Sequence, residues 1–150
     1  MSGETDLIKL YSGQILALAS DMPHTDMLSD PDATVKKRAP LCGSTITVGV
    51  KIEDGKIAAY GQDVKACALG QAAASVVGKN IVGCTKAQVQ AGRDGLKAML
   101  KDGGQTPPAP FEGLEVLRPA QDYRNRHASI LLSLEATLEA FDQADQSACA

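Results

Sequence analysis

The sequence predicts an α+β fold, a small antiparallel sheet around a central β-hairpin packed against several helices. Three observations carry this expectation. Ile46, Val48, Val50 and Ile52 alternate with Thr45, Thr47, Gly49 and Lys51, the pattern of a half-buried strand. Asp54-Gly55 follows, the preferred pair for a tight hairpin turn. From Cys67 onward the apolar residues recur at helical spacing instead.

The other elements follow in chain order. Ile8, Tyr11, Ile15 and Leu18 predict an amphipathic first helix over Asp6 to Ala19, weakened by Gly13. Ser20 to Leu41 holds Pro23, Pro31 and Pro40 among several aspartates and reads as a long loop or arm. A second strand is expected from Lys56 to about Lys65, with Ile57, Tyr60 and Val64 as its larger apolar residues. Leu69, Ala72, Ala73, Val76 and Val77 then form one helical face, whose small residues suit close packing on the sheet. Thr85-Lys86-Ala87-Gln88 fits a capping box and opens a helix that should stop at Gly103-Gly104. After Pro107, Pro108 and Pro110, a last helix is expected from near Pro119, a favoured first-turn residue. Its stripe is His127, Ile130, Leu131, Leu134, Leu138 and Phe141, and residues 142–150 are expected to fray.

The 150 residues fit one domain, taken as 1–150, and suffice for a real core. Aromatic residues make up only 3%, so that core must be built from Leu, Ile, Val and Ala. A net charge of -3 argues against a nucleic-acid surface. The one basic run, Lys36-Lys37-Arg38, reads as a solvated loop, or alternatively as a docking patch for an acidic partner. No apolar stretch reaches the roughly 18 residues that span a bilayer, and the acidic start lacks the basic region of a secretory signal. Cys149 is not placed for prenylation. A cytoplasmic protein is expected. In that compartment its 4 cysteines should be mostly reduced, which favours metal binding or reactivity over a disulfide framework.

The hairpin brings two of these thiols together. With Asp54-Gly55 at the turn, Glu53 opposes Lys56, and the same register carried back along both strands sets Cys42 opposite Cys67. A bulge would spoil the exact pairing while keeping the thiols near each other. Cys67 stands at a helix start, where free N–H groups favour thiolate. Cys42 precedes Gly43, which lets a ligand approach the backbone. Two thiolates can grip iron or zinc but cannot complete a tetrahedral shell. His127 is the best remaining candidate ligand. The plainer readings are a histidine satisfied at the edge of the core stripe, and two cysteines acting as small hydrophobes or an adventitious disulfide. Cys84 reads as structural or incidental, Cys149 as incidental and His24 as solvated.

Three short motifs now resemble one family, the NifU/IscU-type iron–sulfur cluster assembly scaffolds. They are Leu41-Cys42-Gly43-Ser44, then Lys65-Ala66-Cys67-Ala68-Leu69-Gly70-Gln71-Ala72, and finally Arg126-His127-Ala128-Ser129-Ile130-Leu131. In that family a Cys-Gly-Asp loop precedes the hairpin, a second cysteine opens a small-residue helix, and a His-Cys-Ser-like motif lies in the C-terminal helix. Leu10-Tyr11-Ser12 also resembles the family's opening helix. The likeness covers about residues 7 to 141 and implies a SufE/NifU-like fold. It carries Cys42, Cys67 and His127 over as ligands for iron, zinc or a labile cluster of the 2Fe-2S type. Two ligands depart from the pattern: the family's aspartate is Ser44 here, and its third cysteine, the one expected to receive sulfur, is Ala128.

The resemblance implies a scaffold, not an enzyme, that holds a cluster and hands it on. Its partners would be a cysteine desulfurase and a cluster-transfer chaperone or acceptor proteins, with solvent, a partner thiol or a second copy in a homodimer completing the ligand set. The main alternative is a degenerate scaffold homologue serving as a binding or regulatory module without metal. A third reading makes Cys67 a nucleophile assisted by His127.

Overall fold

In a computed structural model the chain is described over residues 12–40 and 43–149, with side chains described as far as residue 145. Helix α1 (Gly13–Ser20) leads into an arm and strand β1 (Ala33–Arg38). Strands β2 (Thr45–Glu53) and β3 (Lys56–Lys65) form the hairpin, followed by helices α2 (Ala68–Asn80) and α3 (Lys86–Asp102). A 3-10 helix (Glu112–Asp122) and the long helix α4 (Arg124–Cys149) complete the described chain. The expected α+β architecture is present: the sheet is antiparallel in the order β1-β2-β3, and α4 lies across it with α2 and α3 alongside.

The hairpin forms as its residues dictate. Asp54 and Gly55 take φ of 55° and 75°, the left-handed pair of a type I′ turn. Ile46, Val48 and Val50 are buried on β2, as are Ile57 and Tyr60 on β3. One feature differs from the expected register. Ile52 faces Ile57 but Lys51 faces Ala59, so Ala58 is an extra residue in β3 and the ladder slips by one. It ends at the Thr45–Lys65 pair, short of Cys67.

β1 is a strand where the sequence suggested only loop. Its signal is weak because Lys36-Lys37-Arg38 fills half of it, yet Ala33 and Val35 are buried on the core side. Basic residues on an outer strand are a usual guard against edge-to-edge pairing, so the run belongs to a sheet edge. Lys37 Nζ donates to Glu139 Oε1 on α4 at 3.0 Å. The arm ahead of β1 crosses the other face of the sheet. There Gly49 and Gly61 pair across the ladder, and a Cβ at Gly61 would lie 2.8 Å from the Asp26 carbonyl oxygen. Only glycine leaves room for that crossing.

The later elements also carry corrections. The capping box at Thr85 and Gln88 is formed, and Gly103 ends α3 in the left-handed conformation, both as expected. Pro119, however, lies inside the 3-10 helix, and the last α-helix begins at Arg124. Leu114, Leu117 and Ala120 are buried at every third position, the period of a 3-10 helix, which lacks the residues per turn to keep an α-helical stripe facing inward. α4 runs on through Cys149, past Phe141, where the pattern had suggested fraying. Of the expected first helix, residues 6–11 lie outside the described residues.

Candidate functional site

The end of β3, the start of α2 and the N-terminal part of α4 meet at one point, and Cys67 occupies it. Cys67 is the residue just ahead of α2, in extended conformation, with its carbonyl accepting from the Gln71 N–H at 2.9 Å. Gln71 also donates through Nε2 to the Ala66 carbonyl at 2.9 Å, which fixes the turn into the helix. The Cys67 side chain is only partly buried and makes no cap to its own helix.

Instead the thiol faces a hydroxyl on α4. Cys67 Sγ lies 3.7 Å from Ser129 Oγ on α4, and Ser129 Oγ donates to Ser44 Oγ at 3.0 Å. Ser44 and Ser129 are both buried. The close approach of α4 depends on Gly70, since a Cβ there would fall on the Ser129 hydroxyl and lie 2.9 Å from the Ala66 methyl. Gly43, at φ 70°, takes a left-handed conformation and its N–H donates to the Ala39 carbonyl at 3.0 Å. The Ala39 N–H in turn donates to the Ser44 carbonyl at 2.8 Å, so backbone bonds join the residue after β1 to those just ahead of β2. Cys42, expected to face Cys67, lies outside the described residues.

His127 is buried near the start of α4, and its Nε2 sits 3.0 Å from the Ala120 carbonyl and 3.1 Å from that of Gln121. Carbonyl oxygens only accept, so Nε2 carries a proton. The imidazole borders a cavity of about 300 Å³ lined by Lys101, Asp102 and Arg124. Residues 127 and 129 are two apart on a helix and therefore point in roughly opposite directions. The site partner that Cys67 meets on α4 is thus Ser129, a residue absent from the expected ligand set. A serine inside an apolar helical stripe was the available signal for it.

Cys84 is buried, its thiol donating to the Asn80 carbonyl at 3.3 Å, and burial pushes its pKa up. This matches the structural role expected of it. Among the described residues no three or more His, Cys, Asp or Glu side chains stand close enough to hold a metal ion, and no helix is long and apolar enough to cross a membrane.

A three-stranded antiparallel sheet with helices across it, and a cysteine opening the small-residue helix beside the last one, define a class of small α+β proteins. The chain belongs to the NifU-like family within that class, the NifU/IscU-type iron–sulfur cluster assembly scaffolds. The crystal structure of the N-terminal part of a nitrogen-fixing NifU-like protein from Brucella abortus is 38% identical, with a TM-score of 0.91 over 94% of this chain and 98% of that one. The fold also matches a protein from Fervidobacterium islandicum AW-1 assigned as an iron–sulfur cluster assembly scaffold for the SUF system, at 18% identity and a TM-score of 0.80 over 89% and 98% of the two chains. A third solved structure, of a hypothetical protein, is 24% identical with a TM-score of 0.77 over 90% and 98%. No protein-family model and no curated protein matches the chain.

Proposed function

We propose that this protein is a cytoplasmic scaffold, not an enzyme, that takes up iron, zinc or a labile 2Fe-2S cluster as cargo through Cys42, Cys67 and His127 and passes it to acceptor proteins. The observation that carries this reading is the placement of Cys67: a partly exposed thiol at the start of α2, where β3, α2 and α4 converge, in a member of a scaffold family. An exposed sulfur suits a carrier, because an incoming thiol must reach the metal to remove it. The part given to His127 rests on the family motif, since on α4 the ring faces away from Ser129 and Cys67 and toward the Ala120 and Gln121 carbonyls. Two carbonyls accept from Nε2, which leaves Nδ1 as the ring nitrogen that could serve a metal. Solvent, a partner thiol or a second copy of the chain completes the shell. A cysteine desulfurase and a cluster-transfer chaperone are the partners this role requires.

Anaerobic reconstitution with ferrous iron and sulfide tests the reading. Wild type should develop sulfur-to-iron absorbance, Cys42→Ala and Cys67→Ala should lose it, and His127→Ala should hold the cluster more weakly. Absence of the absorbance in wild type, with the same metal content as in Cys42→Ala, removes the proposal.

A second reading rests on the hydroxyls beside Cys67. Ser44 stands where the family carries a carboxylate, Ala128 where it carries a thiol, and Ser129 bonds to Ser44 rather than leaving it open. On this reading the chain is a partner or regulatory module that keeps the scaffold's surface without its metal. Stable binding to a purified cysteine desulfurase by metal-free protein, with no metal retained on reconstitution, would favour it.

A further inference from the structure

The outer face of the sheet, turned away from α4, is covered over only part of its length. On that face β1 places Thr34, Lys36 and Arg38 opposite Gly49, Thr47 and Thr45 of β2, and β3 adds Gly61, Asp63 and Lys65. The arm crosses at Gly49 and Gly61, with Met27 and Pro31 at 3.4 and 3.7 Å from where a Gly49 Cβ would sit. Its carboxylates pair with Lys51 on the same face, Asp30 at 3.6 Å and Asp32 at 3.9 Å. The half of the face beyond the arm presents cations without such a cover. Lys36, Arg38 and Lys65 are exposed, and none of them makes an ion pair or side-chain hydrogen bond among the described residues.

These cations form a compact surface. Arg38, Thr45 and Lys65 make a row across three strands, about 10 Å wide, and Lys36, Thr47 and Asp63 make the next row about 7 Å along. Lys37 is not part of it, since its ammonium turns to Glu139 on α4. Lys65 stands two residues before Cys67, and an Arg38 nitrogen lies 4.0 Å from where a Gly43 Cβ would sit, so the patch borders the thiol site. At the margin of the arm Met27 is 41% exposed. Three free cations on a chain of net charge -3 set a local positive field against the overall sign. Asp63 among them repels a run of phosphates, and Met27 supplies an apolar border. Both features suit a protein segment better than a nucleic acid or a layer of lipid headgroups.

We propose that the open half of this face, Lys36, Arg38 and Lys65 bordered by Met27, docks an acidic segment of a partner protein and seats it beside Cys67. The chain's own arm shows the chemistry, because its aspartates already lie on the same face against Lys51. No metal at Cys67 is needed for this docking, so it is independent of the cargo-binding reading above.

The probe is a short fluorescent peptide of alternating glutamate and aspartate with a leucine at one end, titrated against the full chain and followed by anisotropy. Lys36→Glu, Arg38→Glu and Lys65→Glu together should weaken binding at least about tenfold. Lys56→Glu, Lys97→Glu and Lys101→Glu together give the same net charge and should change it by less than about twofold. Raising the salt from about 0.05 to about 0.5 M should remove most of the wild-type signal. In wild type, peptide-induced amide NMR shifts should cluster at Lys36, Arg38, Thr47 and Lys65. No binding by wild type, equal weakening in the two triple variants, or shifts clustered elsewhere overturns the proposal. The NMR result decides it even if the first variant fails to fold. An oligothymidylate or phosphatidylserine vesicles binding this face more tightly than the peptide also overturn it, and assign the surface to a nucleic acid or a membrane.

Discussion

At the scale of single residues, the thiols differ in ways their spacing along the chain does not show. Cys67 and Cys84 both precede a helix, yet Cys67 is partly exposed beside the Ser129 hydroxyl while Cys84 is sealed in the core with its S–H on the Asn80 carbonyl. Burial raises the Cys84 pKa and blocks access together. In native protein at pH 8, Cys84 should therefore be alkylated at least roughly tenfold more slowly than Cys67, and the difference should vanish in denaturant. Mass-mapped labelling measures this, and comparable native rates would mean the core opens around Cys84. Ser129 shows the opposite case. Its residue type gave only a weak signal, a polar residue among the apolar residues of a long helix. Its significance comes from Gly70, on another helix, having no side chain.

At the scale of elements, local chemistry was readable wherever a short motif determines the backbone. The Asp54-Gly55 turn and the Thr85–Gln88 capping box are complete instructions within four residues, and both are formed. β1 and the 3-10 helix were not readable, since each is stabilised by its neighbours. β1 buries only Ala33 and Val35 and depends on pairing with β2. The bulge at Ala58 is likewise invisible in composition, yet it moves every pair beyond it by one residue. Close packing between elements yields a direct test at Gly92 of α3, where an added Cβ would run into the Phe111 ring. Gly92→Ala gains up to about 1 kcal/mol of helix propensity and loses about 1–3 kcal/mol to overpacking. Net destabilisation of about 1 kcal/mol is expected in urea unfolding. A raised midpoint would show that Phe111 yields without cost.

At the scale of the molecule, polar side chains are buried along α4 and the sheet, and of these the Ser133 hydroxyl lacks a partner among the described residues. Ser129, Ser133 and Thr137 follow each other at one-turn spacing on α4, all buried. Beyond them Tyr60 bonds Gln62 at 3.4 Å, and Gln62 Nε2 reaches the Pro23 carbonyl of the arm at 3.1 Å and that of Ala74 on α2 at 3.4 Å. Gln62 thus ties the arm and α2 to the sheet. Burial pushes the Tyr60 pKa up from 10.0 to about 12, opposed in part by the hydrogen bond with Thr137. The folded state thus keeps a proton that the unfolded chain releases first, so the contribution is present below pH 10 and is lost as pH rises toward 12. Stability against urea should fall more steeply between those pH values in wild type than in Tyr60→Phe. Parallel curves for the two proteins would show that the phenol does not titrate with unfolding.

By itself the sequence determined what depends on near neighbours: the hairpin with its turn, the capped helices, the apolar faces, and the three short motifs that mark the family. Tertiary structure alone decided the strand made from Lys36-Lys37-Arg38, the slipped register, and the meeting of Cys67 with Ser129 and Ser44. The physical reason is range. A turn or a cap is satisfied by atoms a few residues away, whereas an edge strand, a bulge and a hydroxyl aimed at a thiol exist only where a distant segment supplies the partner.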